Sequence, residues 1–113
     1  MLKEQERLDD LIKENLKIIQ NDEVFSFSTD ALLLAHFTKV RKNDSILDLC
    51  AGNGVIALLL AAKSHQKIES IEIQEQLADM AQRSFKYNQL EERLSMHNMD
   101  LKDVYQTFKP SQF

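Results

Sequence analysis

"ILDLCAGNGVIA", Ile46 to Ala57, contains both glycines of a 113-residue chain. Average usage of about 7% would place roughly eight glycines in a chain this long. Gly52 and Gly54 instead stand two residues apart, after the apolar run "ILDL" and before "VIALLL". That order reads as a strand, a tight turn and a helix too apolar for a surface. Glycine in such a turn permits positive φ and leaves no Cβ to hold a ligand away. The helix opening near Gly54 would present unpaired N–H groups to an anion.

Working outward, "KIESIEI" alternates like a strand, and "QEQLADMAQRSFKYN" has helical spacing at Leu77, Met80, Ala81 and Phe85. "RLSMHNMD" reads as a third strand and "LKDVYQTF" as a last short helix. Strand, helix, strand, helix, strand is the pattern of parallel βαβ units in an α/β fold. Before the turn, "STDALLLAHFTKV" reads as a helix capped by Ser28 or Thr29. "LKIIQ" and "VFSF", around "NDE", suggest a β-hairpin. Leu8, Leu11 and Ile12 mark one face of a short amphipathic helix over residues 4 to 14. The expected organisation is one domain: a cap segment over 1–44, then a nucleotide-binding βαβαβ core over 45–113.

Composition narrows the function. Apolar residues make up 43% and charged residues 28%, as in soluble globular domains. No apolar run approaches the ~20 residues of a membrane span, and "MLKEQERLDD" is charged where a secretory signal is apolar. One cysteine builds no intrachain disulfide framework, so a cytoplasmic setting is expected. His36, His65 and His97 lack metal-ligand spacing, and no metal is expected. A net charge of −4 argues against broad, non-specific nucleic-acid binding, though not against a locally gripped substrate.

Ligands of open α/β sheets bind beyond the carboxyl ends of the strands. "GNGVIA" satisfies the dinucleotide pattern G-x-G-x-x-G/A, a weak signal alone. Glu72, 18 residues after Gly54, suits ribose hydroxyls of NAD or of any adenosyl cofactor. Asp48 separates these candidates. A carboxylate four residues before Gly52 would repel a pyrophosphate and suit an ammonium or sulfonium. Asp100, after the third strand, adds an acceptor for an adenine amino group. Three carboxylates at successive strand ends suit S-adenosylmethionine.

"DLCAGNG" resembles the D-x-G-x-G-x-G turn of class I S-adenosylmethionine-dependent methyltransferases, with Glu72 and "NMDL" at the next two cofactor positions. Cys50 departs from the first glycine and is read as an inert packing thiol. "NLKIIQNDEVFSFSTDALLLAHF" resembles the segment before this turn in bacterial enzymes that methylate an adenine exocyclic amine in valine tRNA. The resemblance implies a Rossmann-like class I methyltransferase fold, of which this chain holds the first three core strands. It implies cofactor contacts from Asp48, Ala51, Gly52, Asn53, Gly54, Glu72, Ile73, Asp100 and Leu101. Asp30, in the segment over the cofactor's methionine end, is a further candidate. tRNA is the implied substrate.

The Asn/Asp-Pro-Pro-Tyr-type motif of such enzymes is missing; the only proline is Pro110. No catalytic residue is therefore expected within the chain. It reads as the N-terminal, cofactor-binding part of a longer enzyme, with "SILDLC" at an open sheet edge. By itself it is expected to bind cofactor weakly and to transfer no methyl group. The rival readings are a protein or DNA methyltransferase sharing this half, an NAD-dependent oxidoreductase, and a non-catalytic binding module.

Overall fold

The structure, a computed structural model, describes residues 1–11, 16–21, 34–35, 38–39, 45–49, 51–64 and 66–104. In chain order its elements are β1 (Arg7–Asp10), β2 (Lys17–Gln20), β3 (Ile46–Leu49), α1 (Val55–Leu60), β4 (Ile68–Glu72), α2 (Glu75–Tyr87), β5 (Leu94–Asn98) and a 3₁₀ turn at Leu101–Asp103.

The strands expected over "SILDLC", "KIESIEI" and "RLSMHNMD" form one parallel sheet in the order β3-β4-β5. Among the described residues β3 pairs only with β4, and Leu49 at its end is 49% exposed. Partners in register share a face, and the face alternates along each strand. Ile46, Ile68 and Leu94 therefore lie with Asp48, Ser70 and Met96, and with Glu72 and Asn98 beyond them. Ile68, Leu94 and Met96 of this face join Leu58 of α1 and Ala81 and Phe85 of α2 in the main core. Five of the six α1 residues are buried, as its unbroken apolar run requires. On α2 the buried positions Leu77, Ala78, Met80, Ala81, Ser84 and Phe85 follow the helical period. Full burial of a side chain such as Phe85 contributes about 1.5–3 kcal/mol.

The N-terminal segment departs from expectation. Of the helix expected over residues 4 to 14, residues 12–14 lie outside the described residues, and within 4–11 Arg7–Asp10 is a strand, antiparallel to β2. A turn at its start has Gln5 at φ 68, and the Glu6 N–H donates to the Lys3 carbonyl at 3.1 Å. Leu8, opposite Ile19, packs against a small cluster with Leu77 and Met80. Leu11 enters the main core instead. Spacing alone suggested one helical face, but tertiary burial of two residues in separate clusters overrides that weak local preference. β2 is a strand as expected, yet its described partner precedes it. Val24–Phe27, the expected second strand, lies outside the described residues, as do Ser28–Asp30. Only Leu34 and Ala35 of the helix expected after them are described as helical. Of the final helix the described residues show a 3₁₀ turn at Leu101–Asp103 followed by helical Val104, and residues 105–113 lie outside the described set.

Side chains fasten β2 to the core. Ile19 N–H donates to Ser84 Oγ at 2.9 Å, and Lys17 N–H to Asn88 Oδ1 at 2.9 Å. Asn88 Nδ2 returns a bond to the Lys17 carbonyl at 2.6 Å, and Asn53 Nδ2 donates to the Ile19 carbonyl at 3.1 Å. These bonds satisfy backbone groups that an edge strand otherwise leaves open.

Candidate functional site

Both glycines adopt positive φ, 59° at Gly52 and 86° at Gly54, which is why the turn demands them. Their surroundings differ. A Cβ on Gly54 would stand 2.8 Å from Phe85 Cε1 and 3.1 Å from Ala81 Cβ, so this glycine lets the turn close onto α2. At Gly52 the N–H donates to Glu72 Oε1 at 2.8 Å.

Three N–H groups of the turn are taken by the protein's own acceptors. Ala51 N–H goes to the Ile71 carbonyl at 2.8 Å and Gly54 N–H to the Ala51 carbonyl at 3.1 Å. Gly52 N–H already faces a carboxylate. Glu72, 6% exposed, also accepts from Gln74 N–H through Oε2 at 2.9 Å. One side chain thus ties the glycine turn to the loop after β4.

On the same face as Glu72, two residues back along its own strand, lies Ser70, and Asp48 is the register partner of Ser70 on β3. Asp48 Oδ2 and Ser70 Oγ are buried without a hydrogen-bond partner, as is Asn53 Oδ1. Burial, and then the negative charge of Glu72, pushes the Asp48 carboxyl up to about 6. A buried acceptor left open in a carboxylate pair is a place where a cation or a donor would be stabilised.

A cleft of about 310 Å³ opens between the ends of β4 and β5, lined by Ile71–Gln74 and Met99–Leu101. Ile73 (62% exposed) and Leu101 (43% exposed) present apolar surface there. Asp100 caps the 3₁₀ turn, its Oδ1 accepting from Lys102 N–H at 3.1 Å. Of the expected positions, Glu72, Ile73, Asp100 and Leu101 share this cleft. Asp48 adjoins Glu72 but does not line the cleft wall. Ala51 is buried, and the fully buried Asn53 side chain turns inward to β2 rather than outward. Asp30 and Cys50 lie outside the described residues. In the sequence Ser70 has no marked role and Asn98 stands only as the first residue of "NMDL"; the signal common to both is a polar residue on the inner face of a strand.

A family model, the methyltransferase small domain, matches residues 15–113. The chain belongs to that family. Similar curated proteins include tRNA1(Val) (adenine(37)-N6)-methyltransferases of Actinobacillus succinogenes and Edwardsiella ictaluri. The first is 36% identical over 80 residues, 69% of this chain and 34% of that protein. The second is 32% identical over 74 residues, 65% of this chain and 30% of that protein. The chain thus spans about a third of the length of these relatives. Among solved structures, Pyrococcus horikoshii TYW2, in complex with MeSAdo, matches with a TM-score of 0.73 at 20% identity. The match covers 89% of this chain and 38% of that one. The geranyl diphosphate C-methyltransferase of Streptomyces coelicolor, in complex with S-adenosyl-L-homocysteine, matches with a TM-score of 0.55 at 15% identity. That match covers 64% of this chain and 27% of the other. These likenesses establish a Rossmann-like methyltransferase fold. Among the described residues no helix is long and apolar enough to cross a membrane, and no group of three His, Cys, Asp or Glu is placed to hold a metal ion.

Proposed function

We propose that this chain is the S-adenosylmethionine-binding part of a methyltransferase acting on an adenine exocyclic amine in tRNA. The observation that carries the cofactor reading is the pair Asp48 and Glu72 beside a turn whose Gly52 N–H is already taken. A pyrophosphate would find that N–H occupied and two carboxylates close by, whereas a cationic donor gains from the same charges. Each Glu72 oxygen accepts one backbone bond and keeps a further lone pair, which suits ribose hydroxyls. Ile73 and Leu101 would flank the adenine, with Asp100 beside its amino group. Asp48 would act on the methionine end, directly or through a water, with Ala51 and Gly52 bordering it and Asn53 holding the turn from behind. Asp30 remains a candidate over that end.

The bound cofactor supplies a methyl group on a sulfonium; the chain's own residues position the donor and hold its charge. Such positioning accounts for much of the rate enhancement in an in-line transfer. The substrate reading rests on the names of the relatives and on the resemblance of residues 15–37. A cytoplasmic setting follows from a tRNA substrate. In domain terms, residues 1–44 form the cap and 45–113 the nucleotide-binding core.

Isothermal titration of the chain with S-adenosylhomocysteine and with NAD tests the cofactor. Binding of the first without the second is expected; the reverse overturns the reading. For the substrate, the enzyme containing this chain is given tritiated S-adenosylmethionine and unmodified tRNA. Label in an N6-methyladenine is expected, and label appearing only in protein or DNA rules the tRNA assignment out.

A further inference from the structure

The two lips of the cleft belong to different strands, and their separation determines what fits between them. β4 and β5 run side by side up to the pair Glu72 and Asn98, the last in register. Beyond that pair the chain parts into one loop carrying Ile73 and another carrying Leu101. Asn98 reaches across the gap. Its Nδ2 donates to the Glu72 carbonyl at 3.0 Å and to the Ile73 carbonyl at 2.9 Å. One amide therefore holds two consecutive carbonyls of the opposite lip, immediately below exposed Ile73.

We infer that Asn98 is a positioning residue for the adenosine subsite, setting the spacing between the Ile73 and Leu101 lips. The inference rests on the cofactor reading above and adds a residue to it. The chemistry is specific to a donor. An asparagine amide has two N–H groups and can bridge two carbonyls, whereas a carboxylate at the same point would face two carbonyl oxygens and drive the lips apart. Asn98 is itself exposed, so its replacement removes little packing.

The test titrates the chain, as wild type, Asn98→Leu and Asn98→Asp, with S-adenosylhomocysteine and with 5′-methylthioadenosine. Both ligands carry the adenosine; only the first has the amino-acid end. Loss of the bridging bonds is expected to weaken both ligands by the same factor, about fivefold for Asn98→Leu and about tenfold or more for Asn98→Asp, with the melting temperature nearly unchanged. Unchanged affinities beside a lowered melting temperature would make Asn98 a structural strut and overturn the inference. A loss confined to S-adenosylhomocysteine would overturn it too, by placing the effect at the other end of the ligand. If Asn98→Asp does not fold, Asn98→Leu decides alone. A wild-type chain that binds neither ligand is a separate result: it overturns the cofactor reading itself.

Discussion

Around β2, Ser84, Asn88 and Asn53 direct their donors and acceptors at the backbone of a single strand. Beneath the glycine turn, Asp48 Oδ2 and Ser70 Oγ are buried with no partner at all. Asn53, in the turn, belongs to both regions, its Nδ2 bonded to Ile19 and its Oδ1 open. The difference separates polar groups that the fold satisfies from polar groups that it leaves open. A satisfied buried network stabilises and specifies; an unsatisfied one is a standing penalty of about 1–3 kcal/mol per group unless something fills it.

The glycine turn joins these regions, and breaking it should have the largest effect. Gly54→Ala places a Cβ against Phe85 in a backbone conformation at φ 86 that L residues avoid. We expect a loss of about 3 kcal/mol or more in urea unfolding, from backbone strain and overpacking together. Gly52→Ala, at φ 59, should lose only about 1–2 kcal/mol. Equal losses at the two positions would dissolve the distinction between a packing glycine and a site glycine.

The satisfied region comes next. Asn88→Ala removes both bonds to Lys17 and leaves those backbone groups open, at a cost of about 2–3 kcal/mol. Amide exchange at Lys17 and Ile19 should quicken, while the affinity for S-adenosylhomocysteine, measured where the chain is folded, stays unchanged. A matching loss of affinity would mean that the seam serves the site and not only the fold.

How much of this was legible beforehand follows the same division. The parallel core could be read because "ILDL", "IESIE" and "LSMHN" are short strands separated by a turn and a helix of fitting period. Glu72 and Asp100 could be read as candidates because Glu72 ends β4 and Asp100 follows β5, where such folds place ligands. The N-terminal strand could not. Leu8, Leu11 and Ile12 fit a helix as well as a hairpin, and the preference is settled by Ser84, Asn88 and Leu77, more than 60 residues away in sequence. Asn98 was hidden for a related reason. Its task is to bridge two backbone carbonyls, and no spacing along one strand encodes a partner on another.

The unsatisfied region should respond to pH in a defined direction. Asp48 is pushed up to about 6 by burial and by Glu72. A carboxyl whose folded-state value exceeds its unfolded one stabilises the fold when protonated, and that contribution is lost as pH rises through about 6. Asp48→Asn is therefore expected to raise stability by about 1–2 kcal/mol at pH 8, with the gain fading toward pH 4. Cofactor affinity should move oppositely. A cation beside Asp48 favours the ionised form, so wild-type binding weakens as pH falls below about 6, and Asp48→Asn binds more weakly at pH 8 with a flatter profile. A gain in stability together with an unchanged affinity would leave Asp48 buried for no ligand's sake.

Glu6 offers the smallest effect and the opposite sign. Its side chain is 1% exposed and paired with Arg83 at 2.5 and 2.6 Å. The hydrogen bonds from Arg83 lead the causes that hold its carboxyl below the usual range. A lowered carboxyl contributes stability above its unfolded value and loses it as the solution is acidified. Glu6→Gln should accordingly lose about 1 kcal/mol at pH 7, a loss that fades only as the pH falls below the ordinary carboxyl value of 4.5 and on through the lowered value of folded Glu6. Stability of the two variants measured over pH 4 to 8 thus separates the regions by sign. The Asp48→Asn gain and the Glu6→Gln loss both shrink toward acid. Two differences of the same sign would mean that burial without a partner and burial with one are not the distinction that organises this molecule.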